Sequence, residues 1–201
     1  MDLVLIRHPA VAVDAGVCYG KSDVPLAGGA DAAAGAASIA VRLAALGVRA
    51  PQRIETSPLT RCASVARVLG QMHGGLAPHE DTRLAEMDFG AWEMQRWDAI
   101  ERAQIDAWAA DFEHARAHGG ESVAQFDARV GAWFDALVGF DTQSHASLWA
   151  VAHAGVIRAI TARALGLPLA RCVRWPLEMA AVVMLRREGA SGEWLLARWN
   201  A

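Results

Sequence analysis

Two histidines, two arginines and one glutamate stand out for what their positions allow. His8 follows Arg7 at the end of an apolar run, Leu3-Val4-Leu5-Ile6, and His153 ends a second run, Ser147-Leu148-Trp149-Ala150-Val151-Ala152. Short apolar runs of this kind are strands buried on both faces. In an open α/β sheet, ligands bind beyond the carboxyl ends of the strands, so both imidazoles are expected in one crevice. His153 also precedes Ala154-Gly155 and a helical pattern, and a helix N-terminus favours an anion. Arg61 follows Ser57-Pro58-Leu59-Thr60, read as an N-cap serine with proline at the first helical position. By itself Arg61 also fits an ordinary surface arginine.

Arg7, Arg61, His8 and His153 around a helix N-terminus would form an electropositive cup for a phosphoryl group. No GxxxxGK[ST] loop and no aspartate cluster for magnesium occurs, so the arginines would neutralise charge, with no metal and no cofactor. A neutral imidazole is a competent nucleophile, and the neighbouring arginines are expected to lower the pKa of His8 and keep it neutral. Glu86 lies in Arg83-Leu84-Ala85-Glu86-Met87-Asp88-Phe89-Gly90, acidic and too irregular for an amphipathic helix. The segment reads either as a solvated acidic turn or as the place of a general acid for the leaving oxygen.

The positioning elements follow in β-helix-β order. A loop from Pro9 to Leu26 is long for a compact domain. A helix is expected over 27–46, a strand over Arg53-Ile54-Glu55-Thr56 and a helix from Ser57 to Gly70 with Leu59, Cys62, Ala66 and Leu69 inward. Residues 95–118 read as helical and rich in tryptophan. Trp97, Ile100, Trp108 and Phe112 fit a small core or a cap over the site, the core being favoured. Ser122 and Gln125 form a capping box for a helix with Phe126, Val130, Trp133 and Leu137 inward. The chain closes with a hairpin, Ala181 to Arg187 and Trp194 to Trp199, about the turn at 189–192.

The bulk composition narrows the surroundings. A length of 201 residues suits one domain, and a formal charge of −3 gives no general pull toward nucleic acid or an anionic membrane. Cys18, Cys62 and Cys172 lack CxxC spacing, which argues against a disulfide framework or a zinc site and for a reducing cytoplasm. Arg7 and His8 cut the first apolar run far short of the roughly 18 residues a membrane span needs. A homodimer is compatible with the sequence.

Arg7-His8, Ser57-Pro58 with Arg61, Leu84 to Gly90, and Ala152-His153-Ala154-Gly155 occur in an order and spacing that resembles the histidine phosphatase superfamily over nearly the whole chain. The resemblance implies a single domain over 1–201. It is a three-layer α/β/α sandwich with a mostly parallel, phosphoglycerate mutase-like sheet and a small helical cap at about 90–120. It further implies a metal-independent phosphomonoesterase acting on a small molecule. His8 would become phosphohistidine, Glu86 would donate the proton, and Arg7, Arg61 and His153 would hold the phosphoryl oxygens. Cys18 to Leu26 looks most like the α-ribazole phosphatase branch, which implies α-ribazole 5′-phosphate in cobalamin assembly as substrate, with Tyr19 and Gly20 in a substrate-contacting loop. A phosphoglycerate mutase and a non-catalytic phospholigand-binding protein are the alternatives. Four positions depart from the family pattern: Pro9 and Met94 stand where glycine is usual, and Val11 and Asp14 replace uncharged polar residues, Asp14 being expected to point away from phosphate.

Overall fold

The computed structural model describes residues 1–29, 32–137, 146–188 and 192–201. Six strands form one mixed sheet: β1 (Asp2–Arg7), β2 (Arg53–Thr56), β3 (His79–Glu80), β4 (Ser147–Ala152), β5 (Val182–Glu188) and β6 (Glu193–Arg198), in the order β3-β2-β4-β1-β5-β6. β1 to β4 run parallel, and β5 and β6 add an antiparallel edge. The expected hairpin strands therefore pair, while most of their turn (189–191) lies outside the described residues.

Alternation along the central strands makes the three layers. Leu3 and Leu5 of β1, with Leu148 and Ala150 of β4, pack on α4 (Val123–Ala136) and α5 (Ala154–Ala164). Val4, Ile6, Trp149 and Val151 face the other way onto α1 (Ala32–Ala45) and α2 (Thr60–Met72). Both faces of β1 are covered, which is why its sequence is a continuous apolar run and not an alternating one. The capping box at Ser122 and Gln125 forms as expected, with Phe126, Val130, Trp133 and Leu137 buried.

Two helix expectations need correction. α2 starts at Thr60, not beside Ser57, and its N-terminus is capped from a distance: the Asp23 carboxylate accepts from the backbone N–H of Thr60 at 2.7 Å and from its hydroxyl at 2.6 Å. Gly70 lies inside that helix, where a Cβ would collide with the carbonyl of Leu76. The region 95–118 is mostly turns, with one helix, α3 (Arg102–Ala110), none of whose residues is fully buried. The chain there is held by the early loop instead: Cys18 N–H donates to Gln95 O at 2.8 Å, Met94 N–H to Cys18 O at 2.6 Å, and Trp97 N–H to Gly16 O at 2.8 Å. Trp92, Ile100 and Cys18 form a small core under this segment, with Trp108 packed against it. α6 (Leu169–Cys172) completes the helices. Among the described residues no helix is long and apolar enough to cross a membrane.

Met94 has a φ of 62°, in the left-handed region, and its side chain is exposed. A non-glycine residue there costs about 1–2 kcal/mol, and a glycine loses back about 0.5–1 kcal/mol of unfolded-chain entropy. Met94→Gly is thus expected to raise stability by roughly 0.5–1 kcal/mol, read by calorimetry as a rise of about 1–4 °C in Tm. An unchanged or lower Tm would contradict the strain at this turn.

Candidate active site

The sheet register assembles the site. Arg7 lies opposite Ala152 in the β1–β4 ladder, and Thr56 lies opposite Val151 in the β2–β4 ladder. The ladder continues one residue further on each side: His8 N–H donates to Ala152 O at 3.0 Å, and Ser57 N–H to Val151 O at 3.0 Å. His8 and His153 therefore emerge side by side from β1 and β4, and Ser57, level with Ala152, leaves β2 one position before them. The two imidazole rings meet edge-to-face with centroids 5.2 Å apart, and both are almost wholly buried.

Hydrogen bonds fix the tautomers. His8 Nδ1 lies 2.7 Å from Pro9 O; a carbonyl only accepts, so Nδ1 carries the proton and Nε2 keeps a free lone pair. Arg61 donates its Nε–H to His153 Nδ1 at 3.3 Å, so the proton of His153 sits on Nε2, 2.8 Å from Ser57 Oγ. Ser57 is thus a site residue that its reading as a helix cap concealed, though its hydroxyl also accepts from Leu59 N–H at 3.3 Å. Pro9, in the place of the usual glycine, keeps its carbonyl for His8. Its ring packs on α1 at Gly35, where a Cβ would come within 2.7 Å of Pro9 Cγ.

Arg61 is fully buried. Its guanidinium donates to Gly20 O at 2.6 Å, Ser22 O at 2.7 Å and the imidazole of His153. These partners are all neutral, and among the described residues no carboxylate pairs with Arg61. A buried cation with only neutral acceptors leaves a net positive charge in a dry pocket. Arg7 adds a second charge: one of its terminal nitrogens donates to Leu177 O, while its buried Nε has no acceptor.

Burial is the first cause of the lowered pKa of His8, which falls to about 3; Arg61 and Arg7 lower it further, and the Pro9 carbonyl opposes them. The lowering expected from the arginines is found, with burial as the larger cause. His153 is also held well below its ordinary value, by burial first and then by Arg61, His8 and Arg7.

Glu86 reaches the same end of the sheet. Its carboxylate accepts from Gly155 N–H at 3.0 Å, in the first turn of α5, and from Met87 N–H at 3.1 Å. A Cβ at Gly155 would meet the Glu86 carboxylate and displace it from this position. Arg129, which the sequence reading missed, holds the irregular segment in place. It donates to the carbonyls of Arg83 and Ala85, each at 3.0 Å, and pairs with Glu121 at 2.8 Å.

Tyr19 and Gly20 are close to the cup in different ways. The Tyr19 ring centroid lies 6.4 Å from that of His8 and 5.2 Å from Arg61 Cζ. Gly20 offers its carbonyl to Arg61 and is wedged so tightly that a Cβ would come within 2.7 Å of Glu93 Oε1 and of the Phe89 ring. Asp14 is exposed, as expected. Elsewhere, at the β2–β3 edge, Glu55, His79 and Asp81 bring potential ligand atoms within 4.8 Å of one another, but Arg53 and Arg83 already pair with the two carboxylates.

The two histidines also set an acid sensitivity. Each is kept neutral in the fold and titrates near 6.5 when unfolded, so its contribution is present above that pH and is lost as pH falls toward the folded pKa. Between pH 7 and 5 each buried neutral histidine is expected to cost about 2 kcal/mol of stability. Urea unfolding of the protein and of His8→Asn at both pH values checks this. A loss that His8→Asn does not reduce would contradict it.

Comparisons with known proteins agree with this geometry. Residues 3–201 match the histidine phosphatase superfamily (branch 1). Over 225 residues the chain is 32% identical to glucosyl-3-phosphoglycerate phosphatase of Mycobacterium tuberculosis, covering 99% of this chain and 94% of that protein. The native structure of a mycobacterial glucosyl-3-phosphoglycerate phosphatase superposes with a TM-score of 0.80 at 28% identity, over 100% of this chain and 98% of the other. The α-ribazole phosphatase of Shigella flexneri does so with a TM-score of 0.84 at 25% identity, over 100% and 96%. With the paired strand-end histidines, the buried arginine and a match over almost its whole length, the chain belongs to the histidine phosphatase superfamily and is an enzyme of the phosphoric monoester hydrolase class.

Proposed function

We propose that the chain hydrolyses a small-molecule phosphomonoester through a phosphohistidine at His8. The observation that carries this reading is the fully buried guanidinium of Arg61, held by neutral partners beside two neutral imidazoles, one of which keeps a free Nε2. Such a pocket suits an anion. The dianionic phosphoryl group would enter against Arg61, Arg7 and His153. The lone pair of His8 Nε2 forms the bond to phosphorus as the P–O bond breaks, and the departing oxygen takes the proton of Glu86. Water then attacks phosphorus, gives its proton to the Glu86 carboxylate, and the P–N pair returns to Nε2. Positioned charge carries most of the catalysis, as expected where little covalent work falls to the protein. Tyr19 would close the side of the cup and Gly20 would hold Arg61, and residues 90–120 would cover the leaving-group side.

For the substrate, the loop from Cys18 to Leu26 and the fold likeness support α-ribazole 5′-phosphate. The full-length identity to a glucosyl-3-phosphoglycerate phosphatase favours a second reading, with that sugar ester as substrate. Rapid quench with phosphorus-labelled α-ribazole 5′-phosphate is expected to trap an acid-labile phosphoenzyme that His8→Ala lacks. Glu86→Gln is expected to slow turnover about 10²–10⁴-fold. A phosphoenzyme that persists in His8→Ala would overturn the nucleophile, and turnover of the sugar ester alone would give the second substrate.

A further inference from the structure

Opposite the guanidinium of Arg61, across one peptide, lies a carboxylate that does not touch it. The two terminal nitrogens of Arg61 donate to Gly20 O at 2.6 Å and Ser22 O at 2.7 Å. The other side of the same backbone is held by Glu93. Lys21 N–H donates to Glu93 Oε1 at 2.9 Å, and Ser22 N–H donates to Oε2 at 2.6 Å. The Ser22 hydroxyl also donates to Oε2, and Phe89 N–H to Oε1 at 3.0 Å. Glu93 is itself fixed, since its N–H closes the 3₁₀ turn Gly90–Trp92 by donating to Gly90 O at 3.1 Å.

One peptide unit thus joins the two charges. The C=O of Gly20 and the N–H of Lys21 share a trans plane and point opposite ways, one to Arg61 and the other to Glu93. Between a cation and an anion, each of these hydrogen bonds polarises and strengthens the other. Turning the peptide over would set its carbonyl against the carboxylate and its N–H against the guanidinium, and both contacts repel. Gly20, with a φ of 20°, has the backbone freedom for such a turn, so the charges on either side select the orientation. A carboxylate placed directly on Arg61 would occupy its donors and cancel the charge offered to a phosphoryl group. Glu93, one peptide further away, aims the carbonyls without taking the guanidinium.

We infer that Glu93 is the positioning residue of the phosphate site, its carboxylate fixing the Gly20 and Ser22 carbonyls that aim Arg61. This deepens the proposed function and rests on Arg61 holding the phosphoryl group there. Without the carboxylate, the guanidinium stays charged but is free to tilt away from the phosphoryl oxygens.

Binding of inorganic phosphate, measured by calorimetry, tests this without turnover. The wild type is expected to bind it saturably, and Arg61→Lys about tenfold or more weakly. Glu93→Gln keeps the shape, but its amide nitrogen faces backbone N–H groups, donor against donor. It is expected to weaken phosphate about tenfold. Ser22→Ala, the milder change that removes only the hydroxyl donor, is expected to cost about two- to threefold. In kcat/KM, Glu93→Gln is expected to cost the same factor for p-nitrophenyl phosphate and for phenyl phosphate, whose leaving oxygens differ in basicity. On an Arg61→Lys background the same change is expected to cost less than about twofold.

Phosphate binding that both Glu93→Gln and Ser22→Ala leave intact would overturn the positioning role and leave the phosphate cup standing. An undiminished loss on the Arg61→Lys background would also overturn it, by marking a general effect on the fold. A loss that grows for phenyl phosphate would overturn it by placing the effect at Glu86. Absence of saturable phosphate binding by the wild type, or Arg61→Lys binding as tightly as the wild type, would instead sink the phosphate cup of the proposed function.

Discussion

The parallel pairing of β1 with β4 is the constraint on which the site depends. Arg7 opposite Ala152 puts the next residue of each strand, His8 and His153, side by side at the carboxyl edge. A slip of one residue would turn every side chain of a strand to the other face and carry one histidine away from its partner. The register is held by burial on both faces: Leu3 and Leu5 go to one helical layer, Val4 and Ile6 to the other, and all four are inaccessible. At about 1.5–3 kcal/mol for each fully buried large aliphatic side chain, a slipped pairing that misplaced all four would forfeit about 6–12 kcal/mol, comparable to a domain's usual net stability of about 5–15 kcal/mol.

Dryness supplies the second half of the design. Burial keeps both imidazoles neutral, and it makes the Arg61 charge strong because little solvent screens it. The neutral partners of Arg61 hold the guanidinium in place and leave its charge unspent. A carboxylate there would have stabilised the empty pocket and repelled a phosphate. The Asp23 carboxylate is nearby in the chain and is used otherwise, on the backbone N–H and hydroxyl of Thr60 at the start of α2.

The parts of the site that lie on strand ends were legible from the sequence, because a short apolar run ending in histidine has few other meanings. Arg7, His8 and His153 fell into place that way, and so did the central strands and both apolar helix faces. Ser57 was not. Ser-Pro before a helical pattern is a strong local signal for a cap, but the β2–β4 ladder reaches one residue further and gives the hydroxyl to His153. The helix expected over 95–118 failed for a similar reason. Its charges and tryptophans suit a helix locally, yet the backbone of 94–97 is claimed by Gly16 and Cys18, far away in sequence. Arg129 was invisible because four carbonyls of an irregular segment make no pattern in residue types.

That long-range pairing bears on how the two halves of the site communicate. The carbonyls that hold Arg61 belong to Gly20 and Ser22, and the same short loop exchanges hydrogen bonds with the segment leading into α3. Glu93 ties them closer, since its carboxylate accepts from the backbone N–H groups of Lys21, Ser22 and Phe89. Phe89 and the cradle of the buried guanidinium are therefore one hydrogen-bonded unit. The Phe89 N–H shares the Glu93 carboxylate with the loop that holds Arg61. Residues 94–97 are thereby tied to the loop that holds Arg61 through backbone hydrogen bonds.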